Sequence, residues 1–479
     1  MIKSKCGTKH QKTITMRITK NITALAITLL IGVSALAQQK IWTLQEAADY
    51  ALENNISVRQ SLLDMQTAEQ NLKSAKGNFL PTLNGSASQN WNFGSFIGND
   101  GSRISRDTRG NNFSLNSGVN IFNGFQNINL KKQAELGIEA SQLQVDILKD
   151  NISLNVVNAY LNILFNKEAL KLADEQVKIS QKSLNQIQEL VDAGVTARAE
   201  MLVAKSQLAS DNERLVNAQN SVDLSLLNLS QILQISNEDF DIQDVNIDLT
   251  NVVLTYNDSN EILSYALQNR PEIKNAELNI ENARLNYEIA KSAYYPSLSF
   301  GAGAGTSYQH IQGQKDTRLL FLENDPSDPT DDTVTTVPNG FGEQIENNLG
   351  YNVGFSLNVP IFNGFRTDAN VKRSQINQER IELALEQEKQ TLSSNIEQAY
   401  ADAKASLIQY EASKLSLEAQ EEAFENEQDK YDLGVSTSFQ LEQVRNRLIN
   451  AQSSFLNAKY NYVFKTKVLD FYLGKPITQ

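Results

Sequence analysis

The stretch Ile121-Phe122-Asn123-Gly124-Phe125 recurs letter for letter as Ile361-Phe362-Asn363-Gly364-Phe365, at an offset of 240 residues. The same offset continues downstream, where Ala193-Gly194-Val195-Thr196 aligns with Leu433-Gly434-Val435-Ser436. Upstream of the pentapeptide the two halves align at a shorter offset, so one insertion separates the matching blocks. A duplicated unit that cannot bury its own faces is typical of a closed, symmetric assembly.

The duplication and the composition together divide the chain into three parts. Residues 1–37 form a predicted signal peptide, because six basic residues precede an apolar stretch and the small-residue cleavage site Ala35-Leu36-Ala37. The apolar stretch is too short for a membrane helix, and Met16 is an alternative start. The two structural repeats then occupy residues 38–257 and 258–479, and the chain is exported.

The composition of the mature chain excludes several kinds of site. Its single cysteine, Cys6, leaves with the signal peptide, which excludes thiol nucleophiles, disulfides and cysteine-ligated zinc. A Ser-His-Asp triad would have to use His310, which we interpret as a surface loop residue. Removing the six basic residues of the signal lowers the formal charge from −13 to −19, which disfavours nucleic-acid binding. We therefore expect no enzymatic activity, no cofactor, no metal site and no nucleic-acid partner.

The distribution of proline predicts two very long helices. None of the eight prolines falls within 82–270 or 361–475, and proline inside a helix costs about 3 kcal/mol. Apolar residues recur in these windows at steps of three, four and seven, as packed helices require. The pattern predicts helices from about Gln126 to Asp192 and from about Thr367 to Asp432.

Each long helix is followed by a predicted glycine turn and a returning helix. The returning helices are expected over about 197–234 and 437–474, with Thr196 and Ser436 as their N-caps. Shorter helices precede each long hairpin, over about 43–78 and 259–293. The acidic stretch 235–257 is either an irregular belt between the halves or a plain connector.

Four further segments alternate with a period of two, which is typical of strands. One face of each segment is apolar, and the other carries Asn, Ser or Gly; the segments are 83–93, 112–121, 297–308 and 348–361. This pattern fits a soluble sheet over a core, and it also fits a membrane barrel with an apolar face toward lipid.

Aromatic residues near both ends of the strands favour the membrane setting, because interfacial girdles flank the apolar band of outer-membrane barrels. The helix-side group is Phe79, Phe122, Phe125, Tyr294, Tyr295, Phe362 and Phe365, and the loop-side group is Trp91, Phe93 and Phe96. Four strands cannot close a membrane barrel, since the smallest have about eight, and open edges are not viable in lipid. Three copies would give twelve strands, although two copies would also satisfy closure by number.

An ordered set of short motifs carries a family resemblance. Leu80-Pro81-Thr82-Leu83 and Tyr295-Pro296-Ser297-Leu298 lead into the first and third strands, and the doubled pentapeptides join strands to helices at Gly124 and Gly364. With the doubled Gly-Val turns, these motifs resemble the TolC family of outer-membrane efflux ducts over essentially the whole mature chain.

The resemblance implies a fold that is mainly α with β. A homotrimer would form a 12-stranded outer-membrane β-barrel, with four strands from each chain, continued by a 12-stranded α-helical barrel in the periplasm. The implied function is a passive exit duct of a tripartite efflux or type I secretion system. The implied partners are outer-membrane lipid, a periplasmic adaptor and an inner-membrane transporter of the RND or ABC type.

The resemblance also implies functional positions. The hairpin turns Gly194-Val195-Thr196 and Gly434-Val435-Ser436 correspond to the family's adaptor contacts. Gln440 and Gln443 occupy positions where the family carries acidic rings at the periplasmic entrance, so cation blockage is not expected here. Tyr431 and Glu200 match the tyrosine and acidic positions of a polar link that holds the family's closed state, whereas Ser436 stands at the position of a basic partner.

Two other classes of function remain open on the sequence alone. A soluble, exported coiled-coil protein without a pore would explain the long helices and the acidic charge. An exported hydrolase would require a polar constellation in a pocket, which the near absence of histidine disfavours.

Overall fold

The structure is a computed structural model that describes residues 40–97, 101–105, 107–245, 256, 258–323 and 332–477. The predicted signal peptide, residues 1–37, lies outside the described residues, as does much of the acidic stretch 235–257. The chain divides into two compact units. The first contains the chain up to Arg59, Leu148–Leu267 and Leu392 onward, and the second contains Gln60–Ile147 and Gln268–Thr391.

The elements follow one another in the same general order in both halves of the chain. They are β1 (Ile41–Trp42), α1 (Leu44–Asn54), α2 (Ile56–Gly77), β2 (Thr82–Asn92), β3 (Ser95–Ile97), β4 (Arg103–Ser105), β5 (Thr108–Asn123), α3 (Gln126–Asp192), α4 (Arg198–Leu233), β6 (Asp241–Ile242), α5 (Ser259–Asn269), α6 (Pro271–Ser292), β7 (Ser297–Ile311), β8 (Thr317–Glu323), β9 (Asp332–Pro338), α7 (Phe341–Asn347), β10 (Gly350–Asn358), α8 (Arg366–Asp432) and α9 (Ser438–Tyr472). None of the helices in the described ranges has an apolar stretch long enough to cross a membrane.

The predicted long helices are confirmed, with α3 and α8 each containing 67 residues. The shorter predicted helices are each divided in two. Asn55 adopts an extended conformation between α1 and α2, and its side chain accepts a hydrogen bond from the Ser57 amide at 2.8 Å. Arg270 is extended in the same way, because Pro271 occupies the first turn of α6 and the residue before a proline disfavours the helical region.

The second unit contains a four-stranded antiparallel sheet in the order β10-β7-β5-β2. Its register aligns the apolar faces that the sequence predicts for all four strands. One row places Leu115 opposite Gly85 and Ala304, and Ala304 lies opposite Tyr351. Within the described residues, the strands at both ends, β2 and β10, have a neighbour on one side only.

The other face of the sheet is polar and uncharged. Asn84, Asn116, Gly303 and Asn352 lie in one row across the four strands. A Cβ added to Gly303 would lie 2.6 Å from the Asn352 amide oxygen and 2.8 Å from that of Asn116. Glycine at this position therefore leaves room for the two asparagine side chains to lie across β7.

The loop-side end of this sheet has more structure than the sequence indicates. Strand β5 begins at Thr108 and β7 continues to Ile311. The antiparallel pair β3–β4 precedes β5, and the pair β8–β9 follows β7. Gln344 of α7 is buried, and its amide bonds both the backbone N–H and the carbonyl oxygen of Gln309, at 2.9 and 3.0 Å. His310, expected in a loop, lies in β7 and bonds Asp316 at 2.8 Å.

The first unit is built from helices and one short parallel strand pair. Strands β1 and β6 join the start of the described chain to the beginning of the acidic stretch. Tyr160 of α3 is fully buried and donates hydrogen bonds to the carbonyl oxygens of Trp42 and Gln243, at 3.2 and 2.9 Å. Burial raises the pKa of Tyr160 to about 12. The described part of the acidic stretch is therefore anchored to a long helix.

Candidate functional site at the hairpin ends

Both long helices end in the same glycine turn. Gly194 and Gly434 each have φ of +72°, a conformation that favours glycine. After α3, the Gly194 amide bonds the Val191 carbonyl at 3.0 Å, and the Val195 amide bonds that of Leu190 at 2.8 Å. The turn after α8 repeats both bonds, and this pair of bonds defines a Schellman motif.

The turns hold apolar side chains in solvent. Val195 is 71% exposed, Leu433 is 80% exposed and Val435 is 78% exposed. In the part of the chain that the structure describes, these side chains belong to no core. Each hairpin end therefore exposes a small apolar surface.

The predicted N-caps of the returning helices are wrong by one residue. Ala197, not Thr196, precedes α4 and provides no side-chain cap. Thr437, not Ser436, caps α9: its hydroxyl accepts from the Gln440 amide at 3.3 Å, and the Gln440 side chain accepts from the Thr437 amide at 3.1 Å. This reciprocal arrangement is a capping box, which the sequence shows as Thr-x-x-Gln. The Ser436 hydroxyl instead donates to Glu427 of α8.

Replacing Thr437 with Ala is expected to loosen the first turn of α9 by about 1 kcal/mol. Hydrogen exchange measured on the full-length protein should then be faster at the amides of residues 438–440. Thr196→Ala is the matched control, because Thr196 caps no helix, and we expect a change within about 0.5 kcal/mol. Equal effects of the two substitutions would contradict the assigned cap.

The capping box separates the roles of the two predicted entrance glutamines. The Gln440 side-chain oxygen is occupied by the Thr437 amide and hydroxyl. Gln443 is exposed, and its side chain has no hydrogen-bond partner among the described residues. Gln443 is therefore the one of the pair whose side-chain amide is free.

The predicted link residues Glu200 and Tyr431 lie near each other. Burial, followed by the negative charge of Glu200, raises the pKa of Tyr431. Within the described chain, no hydrogen bond joins the two side chains; the Glu200 carboxylate instead accepts from Ser438 at the start of α9. This contact ties the beginning of α4 to the beginning of α9.

A buried polar cluster that the sequence patterns do not predict joins α3, α4 and α9 farther from the turns. Arg445 of α9 is 3% exposed and forms an ion pair with Asp211 of α4, which is 1% exposed, at 2.8 Å. The same guanidinium donates to the Ser180 hydroxyl of α3 at 2.6 Å and to the Gln176 carbonyl at 3.1 Å. The sequence does contain one signal for this cluster. Arg445 lies three positions before the buried Leu448, so a charged residue falls on the apolar face of α9.

The strand-to-helix junctions are built alike but packed differently. Gly124 and Gly364 have φ of +67° and +65°, and each is followed by a phenylalanine that is also left-handed. In the first turn of α3, the Asn123 side-chain oxygen accepts a hydrogen bond from the Asn127 backbone N–H at 3.3 Å. At the start of α8, the Asn363 side-chain oxygen accepts from the Thr367 backbone N–H at 3.5 Å. A Cβ added to Gly124 would lie 2.4 Å from the Ser292 carbonyl oxygen, whereas one added to Gly364 would meet nothing within 4 Å.

The two proline positions of the junctions lie where helices give way to strands. Pro81 separates α2 from β2, and Pro296 separates α6 from β7. Near Pro296, the Tyr295 ring packs edge-on against Phe125, with ring centroids 6.2 Å apart. Among the described residues, no group of three or more His, Cys, Asp or Glu side chains is arranged to hold a metal ion.

Comparison with known proteins identifies the family. The family model described as outer membrane efflux protein matches residues 47–233 and 262–475. The outer membrane protein TolC of Escherichia coli K12 is 22% identical over 449 residues, covering 93% of this chain and 84% of that protein. The cation efflux system protein CusC of Escherichia coli O157:H7 is 26% identical over 362 residues, covering 73% and 68%.

Solved structures of outer-membrane channels have the same fold. A CusC crystal structure superposes with a TM-score of 0.74 at 19% identity, covering 92% of this chain and 96% of that one. The MtrE channel of Neisseria gonorrhoeae superposes with a TM-score of 0.69 at 20% identity, covering 91% and 90%. The chain belongs to the TolC family of outer membrane efflux proteins, and it is an efflux channel of the outer membrane.

Proposed function

We propose that three copies of this chain form one closed duct through which cargo leaves the cell without chemical change. The observation that carries this proposal is the four-stranded sheet with two unpaired edges, β2 and β10. In β10, the apolar side chains of Tyr351, Val353, Phe355 and Leu357 are 77, 77, 71 and 66% exposed and share one face.

Lipid accounts for both features of the sheet. An apolar face that covers no core is stable against hydrocarbon, but backbone groups at a free edge have no water to bond there. Each sheet must therefore pair with neighbours until no edge remains. Three copies give twelve strands, which exceeds the about eight strands of the smallest barrels.

The division into repeats 38–257 and 258–479 is part of the same proposal. Each half contributes two short helices, two strands of the sheet and one long helical hairpin, and the family model matches one segment in each half. Two similar repeats in each of three copies give the duct six similar wall segments. The boundary then falls near the acidic stretch, beyond the β6 strand.

The hairpin ends are the proposed contacts for a periplasmic adaptor, through Gly194-Val195-Thr196 and Gly434-Val435-Ser436. The exposed apolar side chains of both turns support this assignment, because water disfavours them and no described core covers them. An inner-membrane transporter of the RND or ABC type would supply the energy, since a passive duct supplies none. Family membership disfavours the alternative of a soluble coiled-coil protein without a pore.

The proposed periplasmic entrance contains Gln440, Gln443, Glu200 and Tyr431. A ring of neutral glutamines attracts divalent cations much less than a ring of carboxylates would. The contact between Glu200 and Ser438 holds α4 and α9 together at this end, and a change between closed and open states would have to break it.

Purified protein reconstituted in a planar lipid bilayer tests the proposed function. We expect discrete conductance steps from the wild-type chain. Immunodetection confirms that the protein is present in the bilayer. The proposed duct would be contradicted if such bilayers showed no conductance steps, both with and without the purified adaptor.

Replacing Gln443 with Asp should make the single-channel conductance sensitive to divalent cations added on the periplasmic side. Three closely spaced carboxylates would bind a divalent cation that three amides do not. Gln440→Asp is the comparison, and we expect a weaker effect because that side chain is held in the capping box. Unchanged cation sensitivity in both variants would exclude these residues from the constriction.

A further inference from the structure

A groove between α3 and α9 in the first unit is lined by amides and aromatic rings without any charged group. It has a volume of about 220 Å³. The lining residues are Asn158, Leu161, Asn162, Phe165, Asn457, Tyr460, Asn461 and Phe464. None of the predicted functional positions falls in this groove.

The two walls of the groove carry the same pattern. Asn158, Asn162 and Phe165 follow the spacing i, i+4, i+7 on α3, and Asn457, Asn461 and Phe464 follow it on α9. Residues at this spacing share one helix face. The Phe165 and Tyr460 rings meet edge-on across the groove, with centroids 6.0 Å apart.

Most of the amides in the groove are available to a ligand. In the part of the chain that the structure describes, the side chains of Asn158, Asn457 and Asn461 have no hydrogen-bond partner in the protein. Asn162 uses its oxygen for Asn166, at 3.0 Å, and keeps its N–H groups free. Of the flanking charges, Lys459 pairs with Glu168 at 3.5 Å.

The chemistry of these walls selects the class of ligand. An asparagine amide offers donors and an acceptor side by side, and a hydroxyl group is likewise donor and acceptor, so the two are complementary. Aromatic rings provide apolar contact area for the C–H face of a ring. The absence of charge disfavours ionic ligands. We propose that the groove binds a pyranose ring, as a free sugar or as one residue of a glycan.

The side of α3 on which the groove opens indicates whether the groove faces the lumen of the proposed duct. Asn158 and Asn162 each lie two residues from Tyr160, and therefore on the opposite side of α3 from the contact with β1 and β6. A duct must stay open, so short segments such as β1 and β6 belong on its outside. If the chain forms the proposed duct, the groove faces its lumen. This placement rests on the proposed function, whereas ligand binding by the groove does not.

Saturation-transfer NMR on the detergent-solubilised full-length protein tests this proposal, with methyl α-glucopyranoside as the probe. We expect saturation transfer to the ring protons of the sugar. Maltotriose distinguishes the two sources: tighter binding than the monosaccharide indicates a glycan chain, and equal binding indicates a free sugar. Cyclohexanol has a six-membered ring with one hydroxyl, and we expect it to bind much more weakly.

The double variant Asn158→Ala with Asn457→Ala should bind the sugar more weakly, with the affinity lowered by about fivefold for each amide removed. Asn151→Ala is the matched control, because Asn151 is exposed on the same helix and does not line the groove. No transfer to either sugar, equal transfer to cyclohexanol, or unchanged binding in the double variant would overturn the proposal. Conductance measured on the same preparations separates this failure from failure of the proposed duct.

Discussion

The Asp211→Ala variant is expected to lose about 3 kcal/mol of folding stability, because it removes the fully buried charge partner of Arg445 and leaves only the partly exposed Glu442, at 3.4 Å. Removing a charge from water is costly, and the ion pair compensates that cost only while both partners are present. The Ser180 hydroxyl and the Gln176 carbonyl stay in contact with Arg445 but carry no charge, so they do not replace the buried carboxylate.

Thermal unfolding of the reconstituted protein, followed by circular dichroism of the helices, measures this loss. Asp223→Ala is the matched control, since Asp223 is exposed on the same helix and should change stability by no more than about 0.5 kcal/mol. If Asp211→Ala unfolds at the same temperature as Asp223→Ala, the ion pair does not contribute to folding stability and the cluster is not a structural link.

The double variant Asp211→Leu with Arg445→Leu removes both charges. It therefore distinguishes the stability lost with the ion pair from the stability lost by leaving Arg445 unpaired. Replacing a buried ion pair by apolar side chains is often neutral. The double variant should therefore be more stable than Asp211→Ala. A double variant that is less stable than the single one would show that the unpaired charge of Arg445 is not the cause of the loss.

The Gly124→Ala variant is the second change for which we expect a large effect. The left-handed conformation alone costs a non-glycine residue about 1–2 kcal/mol. The added Cβ would also lie 2.4 Å from the Ser292 carbonyl oxygen, so the end of α6 would have to move away from the junction. We expect little or no folded protein in the outer membrane.

Gly364→Ala is the control that the duplication itself provides. Gly364 has nearly the same φ, but no atom lies within 4 Å of an added Cβ. Only the conformational cost remains, so most of the protein should still fold. Quantitative immunoblotting of outer-membrane fractions compares the two variants, and equal yields would contradict the close approach at Ser292.

The elements that the sequence predicts well are those with a repeated local signal. The absence of proline and the regular apolar spacing placed α3 from Gln126 to Asp192, as the structure has it. The four alternating segments placed the strands of the sheet, and their apolar faces coincide in the observed register. These signals are local and act along one helix or one strand.

The features that the sequence patterns do not predict depend on a single residue or on contacts between distant positions. Pro271 is the sequence signal for the division between α5 and α6. The helical pattern on both sides of this single residue predicts one continuous helix instead. The cap of α9 was placed one residue early because Ser436 and Thr437 are both capable of capping. The pair Asp211 and Arg445 is separated by 234 positions, and spacing within either helix does not predict that contact.

Electron microscopy of the protein reconstituted in lipid nanodiscs tests the central claim most directly. We expect three copies around one axis, with β2 of each chain hydrogen-bonded to β10 of the next, so that no strand edge is left in the membrane. A single copy in each nanodisc, or three copies whose β2 and β10 edges remain unpaired, would contradict it.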